Sequence, residues 1–195
     1  MRAHATVIAC LAAASTALGQ TDPRIIIEVD EPVLGPGQRS TTIRLFAQFD
    51  DARDYAIAGI ATSFATDRGS TGFSDLRLVA PMDGPGTSAG LPSAIGIENI
   101  IAGQLNFPLA MVYADPGNPI AFWECVFTTS MEPAPTEIEL STVTSRFDVY
   151  VDRGSARSES RLGDLVEGSA TIIIIPAPAT GLALLGVLAL GRRRR

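Results

Sequence analysis

The sequence predicts an all-β domain, an antiparallel β-sandwich of about nine strands over residues 20–175, flanked by two short terminal segments. Three observations predict it. From Thr21 to Ile175 short apolar runs are broken by Gly, Pro, Asp and Ser. Several of these runs alternate apolar and polar residues with a period of two, as half-buried strands do. Helical periodicity is scarce, and strands at this spacing favour two packed sheets.

The strands follow in order. Ile25–Val29 is separated by the turn Gly35-Pro36-Gly37 from Thr41–Phe49, where Ile43, Leu45, Ala47 and Phe49 share one face and Arg44 and Gln48 the other. Ala56–Thr66 and Asp75–Val79 come next, then a loop, Met82–Gly90. Ser93–Gln104 reads as a short helix or another strand, and Leu109–Tyr113 as a strand before the tight turn Ala114–Pro119. In Ala121–Thr129 the residues Trp123, Cys125 and Phe127 oppose Phe122, Glu124 and Val126. Glu132–Pro135 separates it from Thr136–Thr142, with Ile138 and Leu140 inward and Glu137 and Glu139 outward. In Arg146–Val151, Phe147, Val149 and Val151 oppose Asp148, Tyr150 and Asp152, and Ala170–Ile175 is the last strand.

The two ends differ from the domain. Residues 1–19 read as a secretory signal peptide: Arg2 is a short basic region and Ala5–Ala14 is apolar but too short to span a bilayer. Ala17-Leu18-Gly19 places cleavage by signal peptidase between Gly19 and Gln20. Val7-Ile8-Ala9-Cys10 resembles a lipobox, but almost no apolar stretch precedes it. Residues 176–195 read as a short hydrophobic helix, apolar from Gly181 to Gly191 and closed by Arg192, Arg193, Arg194 and Arg195. That run is shorter than the roughly 20 residues a comfortable span needs, and the arginines favour a cytoplasmic C-terminus. Pro176 and Pro178 set the boundary with the domain.

Charge and missing residue types exclude several chemistries. Residues 20–191 hold ten Arg, no Lys and all 21 Asp and Glu, an excess of eleven negative charges. Such a domain is unsuited to a nucleic-acid backbone, which requires a basic face. It suits a soluble extracellular protein or one that takes up divalent cations. His4 and Cys10 lie in the leader, so the domain has no His and the single Cys125. An intramolecular disulfide, a Ser-His-Asp triad, a Cys-His pair and a His-ligated zinc are all excluded there. Cys125 reads as a small buried hydrophobe.

Two resemblances add to this reading. Ile175-Pro176-Ala177-Pro178, the apolar Leu182–Leu190 and the arginine run resemble the PEP-CTERM sorting signal over about 20 residues, with Ala177 where that family usually has Glu. The resemblance implies export, at least transient membrane anchoring and processing by an exosortase-like enzyme; an uncleaved membrane tail is the alternative. Pro36–Asp67 and Ala121–Val151 resemble the two halves of a cohesin-like domain. That implies a jelly-roll-like sandwich, a fold shared with carbohydrate-binding modules.

Candidate sites are few. Asp50, Asp51 and Asp54 cluster after a strand and could offer calcium several hard oxygens, although turn acids at a strand end are the simpler reading. Asp67-Arg68-Gly69-Ser70 recurs as Asp152-Arg153-Gly154-Ser155, a pattern of turn chemistry. Trp123, with Tyr55, Tyr113 and Tyr150, could form a sugar-stacking platform or belong to the core. No carboxylate pair is singled out for glycoside hydrolysis. The expectation is therefore a non-catalytic, exported surface or matrix protein without a cofactor, whose sandwich serves adhesion or assembly. A carbohydrate-binding module, with a polysaccharide rather than a protein ligand, is the alternative, and a secreted hydrolase is the least favoured.

Overall fold

The computed structural model describes residues 22–49, 54–106, 112–114, 117–129 and 134–176. These residues form eleven strands and one short 3-10 turn, Leu162–Asp164. The strands are β1 (Arg24–Val29), β2 (Val33–Leu34), β3 (Ser40–Gln48), β4 (Ala56–Thr66), β5 (Phe73–Leu78), β6 (Ser88–Pro92), β7 (Gly96–Gly103), β8 (Ile120–Thr128), β9 (Thr136–Tyr150), β10 (Ser158–Ser160) and β11 (Ser169–Ile174). They make two sheets. The smaller has the order β1-β3-β8-β5; the larger runs β2-β11-β9-β4-β7-β6, with β10 also on β9. Neighbouring strands are antiparallel except β2 and β11, which are parallel. No helix among the described residues is long and apolar enough to cross a membrane.

The apolar faces of the two sheets meet in one core, as the alternation predicts for two packed sheets. Ile43, Leu45 and Ala47 of β3 and Ile138 and Leu140 of β9 all point into it. Its aromatic centre crosses between sheets. The Phe64 ring of β4 lies 5.4 Å from that of Trp123 and 5.5 Å, edge-on, from that of Phe73. Rings at these separations add to the burial of their area. The Trp123 indole N–H donates to the Ala89 carbonyl at 2.9 Å, so the one polar atom of that side chain is satisfied inside the core. On one flank of the stack the Ile25 N–H donates to the Val166 carbonyl, joining the edge of the smaller sheet to the segment before β11.

Several sequence expectations are corrected, mostly by β-bulges. Thr136–Thr142 and Arg146–Val151 are not two strands but one, β9. Ala61 faces Arg146 and Thr62 faces Thr144, so Ser145 is an extra residue. A bulge residue reverses which side chains face inward without ending the strand. Even-numbered residues point in before Ser145, and Phe147 and Val149 after it. Glu167 braces this point: its carboxylate accepts from the Thr142 hydroxyl (2.7 Å), the Thr144 N–H (2.6 Å) and the Thr144 hydroxyl (2.9 Å). On β8, Leu45 pairs with Trp123 and Phe46 with Ala121, leaving Phe122 as the extra residue. Phe122 and Trp123 are both buried, not on opposite faces. Tyr150, expected outward with Asp148, is also buried and donates its hydroxyl to the Gln104 carbonyl at 2.9 Å.

Other differences concern elements with weaker patterns. Ser93–Gln104 contains strand β7 and no helix, and the last residues of the Met82–Gly90 loop begin β6. Met82 itself is fully buried. Asp75 and Asn99 carry positive φ (53° and 59°), and both sit where a register shift sets two residues against one. Asp and Asn are the side chains that tolerate this left-handed conformation best. The expected strand Leu109–Tyr113 falls largely outside the described residues, and 112–114 are not in a strand. Residues 1–21, which include the expected signal peptide, and the segment from Ala177 onward also lie outside them.

Because Trp123 is the only tryptophan and is fully buried, its fluorescence reports this core directly. Native emission should be blue-shifted and protected from iodide, moving red on unfolding. Trp123→Ala should lower unfolding free energy by about 3–5 kcal/mol in a urea titration.

Candidate functional site

One cleft among the described residues is on the outer face of the larger sheet. It has a volume of about 330 Å³. Its floor is the backbone of two glycines, Gly59 of β4 and Gly103 of β7, which face each other in register. Neither has a positive φ, so backbone conformation does not demand glycine at either position. A Cβ on Gly59 would sit 3.7 Å from the Ala102 carbonyl oxygen and 3.7 Å from Cζ of Arg146, which is ordinary contact. Glycine inside a strand weakens it and often marks a place where something approaches the backbone closely. Here the approaching group is the Arg146 guanidinium.

Arg146 follows the Ser145 bulge, and its Nε donates to Asp148 Oδ2 at 2.5 Å. That bond fixes one edge of the guanidinium, and the terminal Nη groups have no hydrogen-bond partner among the described residues. No other charged side chain lines the cleft. The facing wall is the turn Gly84-Pro85-Gly86-Thr87. It is tied to β7 by the Gly84 N–H donating to the Gly103 carbonyl (3.0 Å) and closed on itself by the Thr87 hydroxyl donating to the Gly84 carbonyl (2.7 Å). Ile101, 38% exposed, and Leu105, 46% exposed, add an apolar rim, and Ser158 of β10 a hydroxyl.

A second cluster clamps the same end of the domain. Arg161 donates from Nε and Nη2 to the two oxygens of Asp54 at 3.1 and 2.5 Å, and from Nη1 to Glu159 at 3.2 Å. The Asp54 carboxylate is almost wholly buried, with 2% of its side chain exposed. The hydrogen bond to Asp54 raises the Arg161 pKa further above its ordinary value. Hydrogen bonds from Arg161 and then Arg157 hold the half-buried Glu159 below the usual carboxylate range. Both oxygens of Asp54 thus serve an ion pair, while Asp50 and Asp51, its expected calcium partners, lie outside the described residues. Among the described residues no group of three metal-ligating side chains is found.

The remaining predicted residues fall as follows. Trp123 is core and cannot stack on a sugar, so the platform reading of that residue is withdrawn. Tyr113 is exposed, Tyr55 half-buried and Tyr150 buried, and the cleft takes only the last of these into its lining. Both Asp-Arg-Gly-Ser segments are turns, with Gly69 at φ 61° and Gly154 at φ 70°. Pro176 is half-buried directly after β11; Gly19, Gln20, Ala177, Pro178 and Arg192–Arg195 lie outside the described residues. Sequence reasoning does not single out Gly59, Gly103 or Arg146, although a glycine inside an alternating strand is a visible signal for the first two. Cys125 is buried, and desolvation, reinforced by neighbouring Glu124, pushes its thiol up to about 12.

Comparison with protein-family models, with curated proteins and with solved structures found no match to this chain.

Two outcomes are expected. Asp54→Ala should cost about 3 kcal/mol in urea unfolding because it leaves a guanidinium unpaired, and Asp54→Ala with Arg161→Met should recover some of the loss. For Cys125 the folded pKa is raised, so the unfolded thiol ionises first as pH rises. Its contribution is complete below about pH 9 and lost by about pH 12. Cys125→Ala should flatten the pH dependence of stability in that window, and native Cys125 should resist thiol reagents that label it in urea.

Proposed function

We propose that this protein is an exported, non-catalytic surface or extracellular-matrix protein, in which a β-sandwich for adhesion or assembly is displayed by a C-terminal sorting segment. The observation that supports this reading best is how the domain ends. The Ile175 N–H donates to the Leu34 carbonyl at 2.8 Å, and the next residue, Pro176, opens the segment that resembles a PEP-CTERM signal. The last strand ends at Ile174, so one residue separates it from Pro176, where the proposed sorting segment starts in the sequence. Cleavage by signal peptidase before Gln20 and handling of the tail by an exosortase-like enzyme belong to the same proposal. So does a cohesin-like or jelly-roll relationship. The tail is proposed as a sorting signal first and a membrane anchor second.

A cofactor plays no role in this reading, and calcium at Asp50, Asp51 and Asp54 is not needed for it. Secreted hydrolysis is less favoured because the cleft is lined by a single charged side chain, Arg146, and lacks the carboxylate pair that such chemistry uses.

Intact-mass measurement on protein from its native envelope tests the display. The expected chain starts at Gln20 and sits in the envelope or matrix fraction, and a mass ending before Gly181 marks sorting with cleavage. Removing residues 181–195 should release the domain into the medium. Retention of residues 1–19 in a cytoplasmic product would overturn the proposal, as would turnover of a polysaccharide or peptide by the purified domain.

A further inference from the structure

We infer that the Gly59–Gly103 cleft is a binding site for a carboxylated sugar, a uronate residue of an extracellular polysaccharide, with Arg146 as its carboxylate ligand. The inference names a partner for the proposed sandwich and rests on that reading for its biological setting. The binding chemistry stands on the cleft alone.

Three features of the cleft converge on this ligand. The first is a cation prepared for a bidentate partner. Asp148 holds Nε of Arg146, and the guanidinium lies over Gly59, with Cζ 3.7 Å from where a Cβ would stand, so only a side chain longer than alanine would press on it. An arginine engaged at Nε keeps its Nη groups for a two-oxygen acceptor. A carboxylate is such an acceptor, whereas a neutral sugar offers hydroxyls alone.

The second feature is the local charge. Across residues 20–191 acids outnumber arginines by eleven, so the net charge of the domain disfavours anions at long range. The cleft lining contains one cation and no acid, and the carboxylate paired with that cation, Asp148, is engaged at Nε and leaves both Nη groups to a ligand. At physiological ionic strength the screening length is about 8 Å, so the contact charge decides binding more than the distant excess does.

The third feature is shape. The volume of about 330 Å³ is at the lower end for small-molecule sites, enough for one ring rather than a long stretch of polymer. Glycine backbone and Ile101 offer a smooth surface to the C–H face of a pyranose. The Thr87 hydroxyl already donates to Gly84, so it is available to the ring hydroxyls as an acceptor. This site differs from an aromatic sugar platform: it selects for charge, and it leaves Trp123 in the core.

The test is titration of the mature full-length chain at 0.15 M salt with trigalacturonate, maltotriose and an acidic tripeptide, followed by calorimetry and amide chemical shifts. Trigalacturonate should bind and shift Gly59, Gly103 and Thr87, and maltotriose should not bind. Arg146→Gln and Arg146→Lys should each weaken binding about tenfold or more, the second because it keeps the charge but not the fork. Gly59→Val should abolish binding by lifting the guanidinium, with no fall in Tm, which separates loss of the site from loss of the fold. Equal binding of maltotriose, preference for the peptide, no binding of trigalacturonate, or trigalacturonate binding indifferent to Arg146 would each overturn the assignment. None of these results bears on export, which the mass measurement decides separately.

Discussion

The larger sheet depends on the phase reversal in β9. This one strand carries β11 along its first half, β10 at its far end and β4 along most of its length. A continuous two-residue alternation over fifteen residues would send one half of its apolar side chains to solvent. The extra residue at Ser145 prevents that, so Ile138 and Leu140 on one side of it and Phe147 and Val149 on the other all reach the same core. Glu167, from the segment entering β11, holds the bulge with three hydrogen bonds. The fold and the cleft share this cause, because the residue after the bulge is Arg146, carried on the outer face above Gly59.

This explains what is and is not legible in the sequence. Where alternation runs unbroken, as in Ile43 to Ala47, the inward residues and the strand limits can be read to within a residue or two. Ala56–Thr66 is legible to the residue. Where a bulge intervenes, the pattern misleads in a consistent way. At Ser145 it suggests two strands, and at Phe122 it sets two core side chains on opposite faces. Bulges are fixed by pairing with distant strands, and single-strand periodicity carries no record of them. The hairpin of β6 and β7 is rich in small residues and holds three positive-φ positions, Gly90, Gly96 and Asn99, so its apolar pattern is weak.

The candidate cleft is illegible for a related reason. Gly59, Gly103 and Arg146 are 44 and 43 residues apart in sequence and meet only through the pairing of three strands. Asp54 stands out in the sequence, but as a possible calcium ligand. Its partner Arg161 lies 107 residues on and nothing local connects them. The same pair closes a long loop, as a disulfide can in other small domains. Cys125 is the one cysteine among the described residues and is buried, so here the closure is a bidentate ion pair. Its strength comes from good geometry and near-complete burial of the carboxylate, the conditions under which breaking one partner is costly.

The placement of β11 also has a mechanical meaning. This last strand is held on both sides, antiparallel to β9 through six residue pairs and parallel to β2, with backbone bonds from Ile173 to Pro32 and from Ile175 to Leu34. In the proposed display, a tether continuing from Pro176 would load β11 first, along its axis. Its hydrogen bonds lie across that axis, so they are loaded together in shear rather than unzipped singly. Forced unfolding is governed by the barrier to opening rather than by equilibrium stability. A domain displayed in the proposed way would therefore yield to traction at a rate set by that barrier.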